Sequence, residues 1–179
     1  WPCAWNGKDV RTETSWVGRI QPEDGAERDA ALHHSKEKGL AEQDVTKEDF
    51  PLDGFAGELA RMVHELEYGR GFVLMRGFPV ENYDEADLRR IYWGTGQQIG
   101  VAESQNTNGA LIQEIRDHGF DYTPSEHRGR MSSAERRPHS DATATVGMLR
   151  LRTPHSGAAS HLHRPTALPD EASGHPPHH

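Results

Sequence analysis

The amino-acid sequence predicts an α+β domain, and three patterns carry that prediction. Apolar residues recur at helical spacing through 53–68. Directly afterwards, residues 71–76 form a dense apolar run closed by Gly77-Phe78-Pro79, the pattern of a buried strand entering a turn. A second helical pattern over 84–98 is followed by apolar stretches at 111–116 and 142–151, which read as strands.

In chain order, residues 1–20 carry Trp1, Trp5 and Trp16 among polar neighbours and read as an irregular arm packing its indoles onto the domain. Residues 22–38 form a weak helix with Pro22 at its first turn and Gly39 as its stop. Within 53–68, Phe55, Leu59, Met62, Val63 and Leu66 make one stripe, and Gly69 ends the helix. Within 84–98, Leu88, Ile91 and Tyr92 point inward, with Ile99 just beyond. Trp93 lies in register with apolar neighbours and reads as core rather than as a substrate platform. His33, His34 and His64 read as helix-surface residues, and 117–138, polar and rich in Gly, Pro and Ser, as a long loop. The last stretch, 161–179, holds five His and four Pro without an aromatic or β-branched apolar residue. Such a segment buries too little surface to offset its ordering entropy, so disorder is expected. The domain is therefore drawn as 1–160 and a His/Pro-rich tail as 161–179.

Composition narrows the function. The 179 residues suffice for one domain with a core and are too few to expect two. A net charge of −8 argues against a nucleic-acid surface, which needs clustered Lys and Arg. No apolar run reaches a membrane span's roughly 18 residues. The lone Cys3 excludes an internal disulfide framework and, with no signal peptide visible, points to the cytoplasm. Oligomeric state is left open.

His139-Ser140-Asp141 is the chemical candidate. Residues i and i+2 of an extended segment face the same way, so His139 and Asp141 could supply two of the three ligands of a mononuclear Fe(II) site. With 12 His and 12 Asp in the chain, composition alone yields roughly 0.8 His-x-Asp pairs by accident. The pair is therefore no evidence without its context, and its bland alternative is a surface loop without metal.

The context is a series of motifs. Residues 69–80 (GRGFVLMRGFPV) are followed by Ile91-Tyr92-Trp93-Gly94-Thr95-Gly96 with Ile99-Gly100, and then by Ser104-Gln105-Asn106. Ile115-Arg116-Asp117 with Asp121-Tyr122, His139-x-Asp141 and Ser156-Gly157 complete the series. In order and spacing, from about residue 10 to about residue 160, the chain resembles the TauD/TfdA family of Fe(II)/2-oxoglutarate-dependent dioxygenases, the clavaminate-synthase-like group. The resemblance implies a partial double-stranded β-helix (jelly roll) with flanking helices. It further implies Fe(II) held by His139, Asp141 and a distant second His, with 2-oxoglutarate as cosubstrate and oxidation of a small organic molecule, releasing succinate and CO₂. Ser160 stands where the family places a hydroxyl on the cosubstrate, and Gln105 and Asn106 are assigned to the substrate mouth. Local backbone hydrogen bonding is the plain alternative for Ser160, and a helix-to-strand turn for 104–106.

The chain also departs from the family pattern. The family's second His and its cosubstrate Arg lie on the order of a hundred residues beyond the first motif, whereas 38 residues follow Asp141 here. His161, His163, His175, His178, His179 and Arg164 all fall in the low-complexity tail. Arg136-Arg137-Pro138 replaces an apolar approach to the metal His, and Arg150 interrupts an apolar strand. These departures lead to the expectation of a C-terminally truncated or frameshifted member with an incomplete catalytic site. The alternatives are a non-catalytic remnant and a protein that chelates metal through its His-rich end.

Overall fold

The computed structural model describes residues 5, 7–22, 24–104, 108–115, 143–152 and 162. The described elements are α1 (Gly7–Thr12), β1 (Val17–Arg19), α2 (Asp24–Glu37), α3 (Ala56–Glu67), β2 (Leu74–Arg76) and α4 (Glu85–Gln97), with short 3₁₀ turns at Glu42–Asp44 and Val80–Asn82. The chain divides into two compact units, one comprising residues 1–112 and 143–151, the other 113–142 and 152–179. All six elements belong to the first. The described residues of the second carry neither helix nor strand.

β1 and β2 pair in parallel, Val17 opposite Leu74 and Arg19 opposite Arg76. Parallel neighbours need a long crossover, and here α2 and α3 both lie within it. Gly18 makes the close packing possible. A Cβ there would overlap the Met75 sulfur and come within 2.8 Å of both members of the Arg61–Glu58 ion pair on α3.

The core gathers Ala31 and Leu32 of α2, Leu59 of α3, and Ile91 and Trp93 of α4 around Val45, Phe50 and Leu52. Phe50, fully buried, comes from the irregular connection before α3. It meets α4 at Gly94, where a Cβ would overlap its ring. Trp93 Nε1 donates to the Val45 carbonyl (2.9 Å), and Gln98 Nε2 donates to that of Phe50 (2.8 Å), so α4 satisfies backbone acceptors that the connection cannot pair itself. Trp93 is core, as its helical register implied.

The helix ends are held by specific partners. Asp84 caps α4 by accepting from the Asp87 N–H at 2.8 Å. The Glu27 carboxylate reaches across from α2 to accept from the Gly54 and Phe55 N–H groups (2.6 and 3.0 Å) just before α3. Gly39 closes α2 with φ +64°, the left-handed conformation a helix stop favours. Arg28, buried on α2, lies over the Phe78 and Tyr83 rings and donates to Tyr83 Oη at 2.7 Å.

Several expectations need correction. The N-terminal arm contains a helix and a strand rather than being irregular, although the indoles of Trp5 and Trp16 do pack as expected, Trp1 lying outside the described residues. Trp5 and Trp16 both meet the Phe72 ring edge-on, with centroids 5.1 and 5.2 Å apart. Arg70 secures the arm, pairing with Glu13 and donating to Ser15 Oγ at 3.0 Å. The strand read at 71–76 begins at Leu74, and it is not buried: Leu74 and Arg76 are exposed and Met75 is half-buried. Among the described residues of 111–116 and 142–151 there is no strand. Leu111 and Ile112 pack against the core, whereas Val146, Met148, Arg150 and Leu151 are exposed. Apolar runs become strands only where a neighbour supplies ladder hydrogen bonds, and none does so for these described residues. Arg150 therefore carries no burial cost.

Candidate functional site

Of the motif-bearing segments, the one on α4 is fully described. Its last turns hold Ile91, Tyr92, Trp93 and Gly94, of which Ile91, Trp93 and Gly94 are buried and Tyr92 is half-buried. Burial pushes the Tyr92 phenol above its ordinary pKa. After α4 the chain runs to Ser104, whose hydroxyl donates to the Ala110 carbonyl at 3.4 Å. Gly109, just before Ala110, has φ +73°, the left-handed conformation that favours glycine. Leu111 and Ile112 then bring the chain back onto the core. Downstream of the His-x-Asp motif, the described residues approach α4 at Gly147. Gly147 lies against the Tyr92 hydroxyl so closely that a Cβ would come within 2.7 Å of it.

The ligand candidates His139 and Asp141, the cosubstrate candidate Ser160 and the substrate candidates Gln105 and Asn106 lie outside the described residues, as does all of 161–179 except Leu162. Among the described residues no group of three or more His, Cys, Asp or Glu is placed to hold a metal ion. His33, His34 and His64 are exposed on their helices. Ser104, which adjoins Gln105 and Asn106, donates its hydroxyl to the Ala110 carbonyl at 3.4 Å.

A polar cleft of about 540 Å³ lies between the end of α2 and the start of α4, lined by Lys36, Leu40, Glu42, Asp87 and Arg90 among others. Much of its charge is already paired: Lys36 with Asp87 at 2.6 Å and Glu42 with Arg89 at 3.0 Å. Arg90 Nη2 donates to the Leu40 carbonyl at 2.9 Å, so these contacts mainly lock α2 to α4. Sequence reading found no signal for this cleft, because its residues are scattered charges without a motif.

A sequence model of the family described as "Taurine catabolism dioxygenase TauD, TfdA family" matches residues 36–162. The chain belongs to the TauD/TfdA family. The matched region takes in α3, β2, α4, the His139-x-Asp141 motif and the Gly147 segment. The chain is also 29% identical over 159 residues to FR-33289 synthase of Streptomyces rubellomurinus, an alignment covering 88% of this chain. It spans about half (47%) of that relative's length. Members of the TauD/TfdA family are typically dioxygenases dependent on iron and 2-oxoglutarate. No helix among the described residues is long and apolar enough to cross a membrane.

Proposed function

We propose that this TauD/TfdA chain carries the first ligand pair of an Fe(II)/2-oxoglutarate-dependent dioxygenase that oxidises a small organic molecule. The observation that supports it is the family match across residues 36–162, which encloses His139 and Asp141 in the expected order with the motifs before them. Donor chemistry agrees: one neutral imidazole and one carboxylate are two of the three groups of a facial Fe(II) triad. The architecture proposed around them is the jelly roll, whose strands present alternate side chains to an interior site. A reducing cytoplasm, consistent with the lone Cys3, would keep such iron ferrous.

In this reading His139 must be neutral and Asp141 ionised to bind, so metal affinity falls as the medium is acidified. Ser160 donates its hydroxyl hydrogen to a carboxylate oxygen of the cosubstrate. Gln105 and Asn106 orient the substrate through amide hydrogen bonds at the mouth. Bound Fe(II) with 2-oxoglutarate supplies the oxidising chemistry.

The test is anaerobic addition of Fe(II) and 2-oxoglutarate, followed by visible absorption. A weak charge-transfer band that disappears in His139→Ala is expected. A flat spectrum, with no 2-oxoglutarate-dependent succinate once oxygen is admitted, leaves a non-catalytic chain. A signal that survives His139→Ala and vanishes on deletion of 161–179 identifies chelation by the His-rich end instead.

A further inference from the structure

We propose that the N-terminal arm is a detachable strap, clasped by Arg70, that covers the edge of β2. The proposal is independent of the metal reading above. Among the described arm residues 5 and 7–19, none belongs to the hydrophobic core, and α1 buries no residue. The arm attaches along residues 70–76 instead. Trp5 Nε1 donates to the Arg70 carbonyl at 3.0 Å, Trp5 and Trp16 meet the Phe72 ring, and β1 pairs with β2.

Arg70 is fixed on α3 before it holds the arm. Its backbone N–H and its Nη1 both donate to Glu65 Oε1, at 3.1 and 2.8 Å, so the guanidinium is aimed by the body of the domain. The same planar fork then takes the arm: Nη1 donates to Ser15 Oγ at 3.0 Å and Nη2 pairs with Glu13. Glu13 is half exposed, and ion pairs open to water contribute little, so the clasp biases the arm toward closure without locking it.

Release leaves the core between α2, α3 and α4 intact and acts on β2 alone. The Leu74 N–H loses the Trp16 carbonyl (3.0 Å), and the Arg76 carbonyl loses the Ile20 N–H (2.8 Å). Unpaired ladder groups then stand beside the exposed Leu74 side chain, a template for pairing with another copy. Arg70 thereby sets how often this edge opens, in a local unfolding event that precedes the global one.

The test compares the full chain with Arg70→Ala and Glu13→Gln, the latter altering only the arm's side of the clasp and deciding the matter where Arg70→Ala fails to fold. Amide hydrogen exchange at Leu74 and Ile20 reports the strap, and exchange at Ile91 and Trp93 in α4 reports the core. Arg70→Ala should speed exchange at Leu74 and Ile20 by about tenfold and Glu13→Gln by about two- to fivefold, with Ile91 and Trp93 unchanged. Sedimentation velocity should show both variants self-associating at lower concentration than the wild type. If Leu74 and Ile20 exchange no faster than Ile91 and Trp93 in the wild type, or all four accelerate equally in the variants, the arm opens only with the whole domain and the strap is overturned. Unchanged exchange at Leu74 and Ile20 in the variants overturns the clasp. Faster exchange without stronger association overturns the covering role.

Discussion

Single atoms decide the packing at several points. Gly94 is the clearest, because the ring it faces belongs to Phe50, which is fully buried and has no solvent side to move toward. Gly94→Ala should raise helix propensity in α4 yet destabilise the protein by about 1–3 kcal/mol through overpacking, read from the denaturant midpoint. A neutral or stabilising outcome would mean that the ring can yield. Asp49 makes an electrostatic counterpart. Its carboxylate accepts from Lys38 Nζ at 2.6 Å and from the Thr46 N–H and hydroxyl at 2.9 and 2.8 Å. These contacts, led by Lys38, hold its pKa well below the usual carboxylate range. A depressed folded-state pKa contributes stability that is present at neutral pH and is lost as pH falls through the unfolded value of about 3.9 toward the folded one. Asp49→Asn should therefore flatten part of the acid limb of a thermal-midpoint profile while changing little in the shape near neutrality. An acid limb identical to that of the wild type would contradict this.

Among the elements, α4 packs against both α2 and the 3₁₀ turn Glu42–Asp44. Its motif residues Trp93 and Gly94 meet the Val45–Phe50 connection, and the helix begins at a side-chain cap. Asp84→Ala should cost about 1 kcal/mol, with Asp84→Asn largely retaining stability, because either side-chain oxygen can accept from the Asp87 N–H. Equal losses in both variants would show that the carboxylate charge at the helix start matters more than the hydrogen bond. α2 shows how weakly amphipathic helices are retained. It buries Arg28 and Ser35 alongside Ala31 and Leu32. Arg28 is tolerated because two aromatic faces and the Tyr83 hydroxyl replace its water, and Ser35 because its hydroxyl donates to the Leu32 carbonyl at 2.8 Å.

Over the whole molecule, the balance between exposed apolar surface and net charge governs association. Val101 and Met148 are 92% and 78% exposed, and Leu74 on β2 is also open to solvent. A short parallel pair with accessible apolar side chains is a template for further pairing. The net charge of −8 opposes contact between copies, and salt screens that repulsion. The chain should therefore self-associate in a concentration-dependent manner that increases with ionic strength, as followed by sedimentation velocity. A monomer across the accessible concentrations at both low and high salt would refute this.

The sequence by itself determined the elements whose signal is local. Helical stripes over α3 and α4, the stop at Gly39 and the core role of Trp93 were all legible, because periodicity and left-handed glycines act over a few residues. The ordered series of family motifs was legible for the same reason, and it identified the TauD/TfdA family before any contact was known. Tertiary structure alone decided the rest. Phe50 and Val45 lie in an irregular connection with no period, so their burial follows from what α2 and α4 offer them. The stretches 71–76, 111–116 and 142–151 share an apolar character, yet only Leu74–Arg76 is a strand among their described residues, because β1 is there to pair with it. The approach of Gly147 to Tyr92 brings together positions 55 residues apart, which no local pattern encodes.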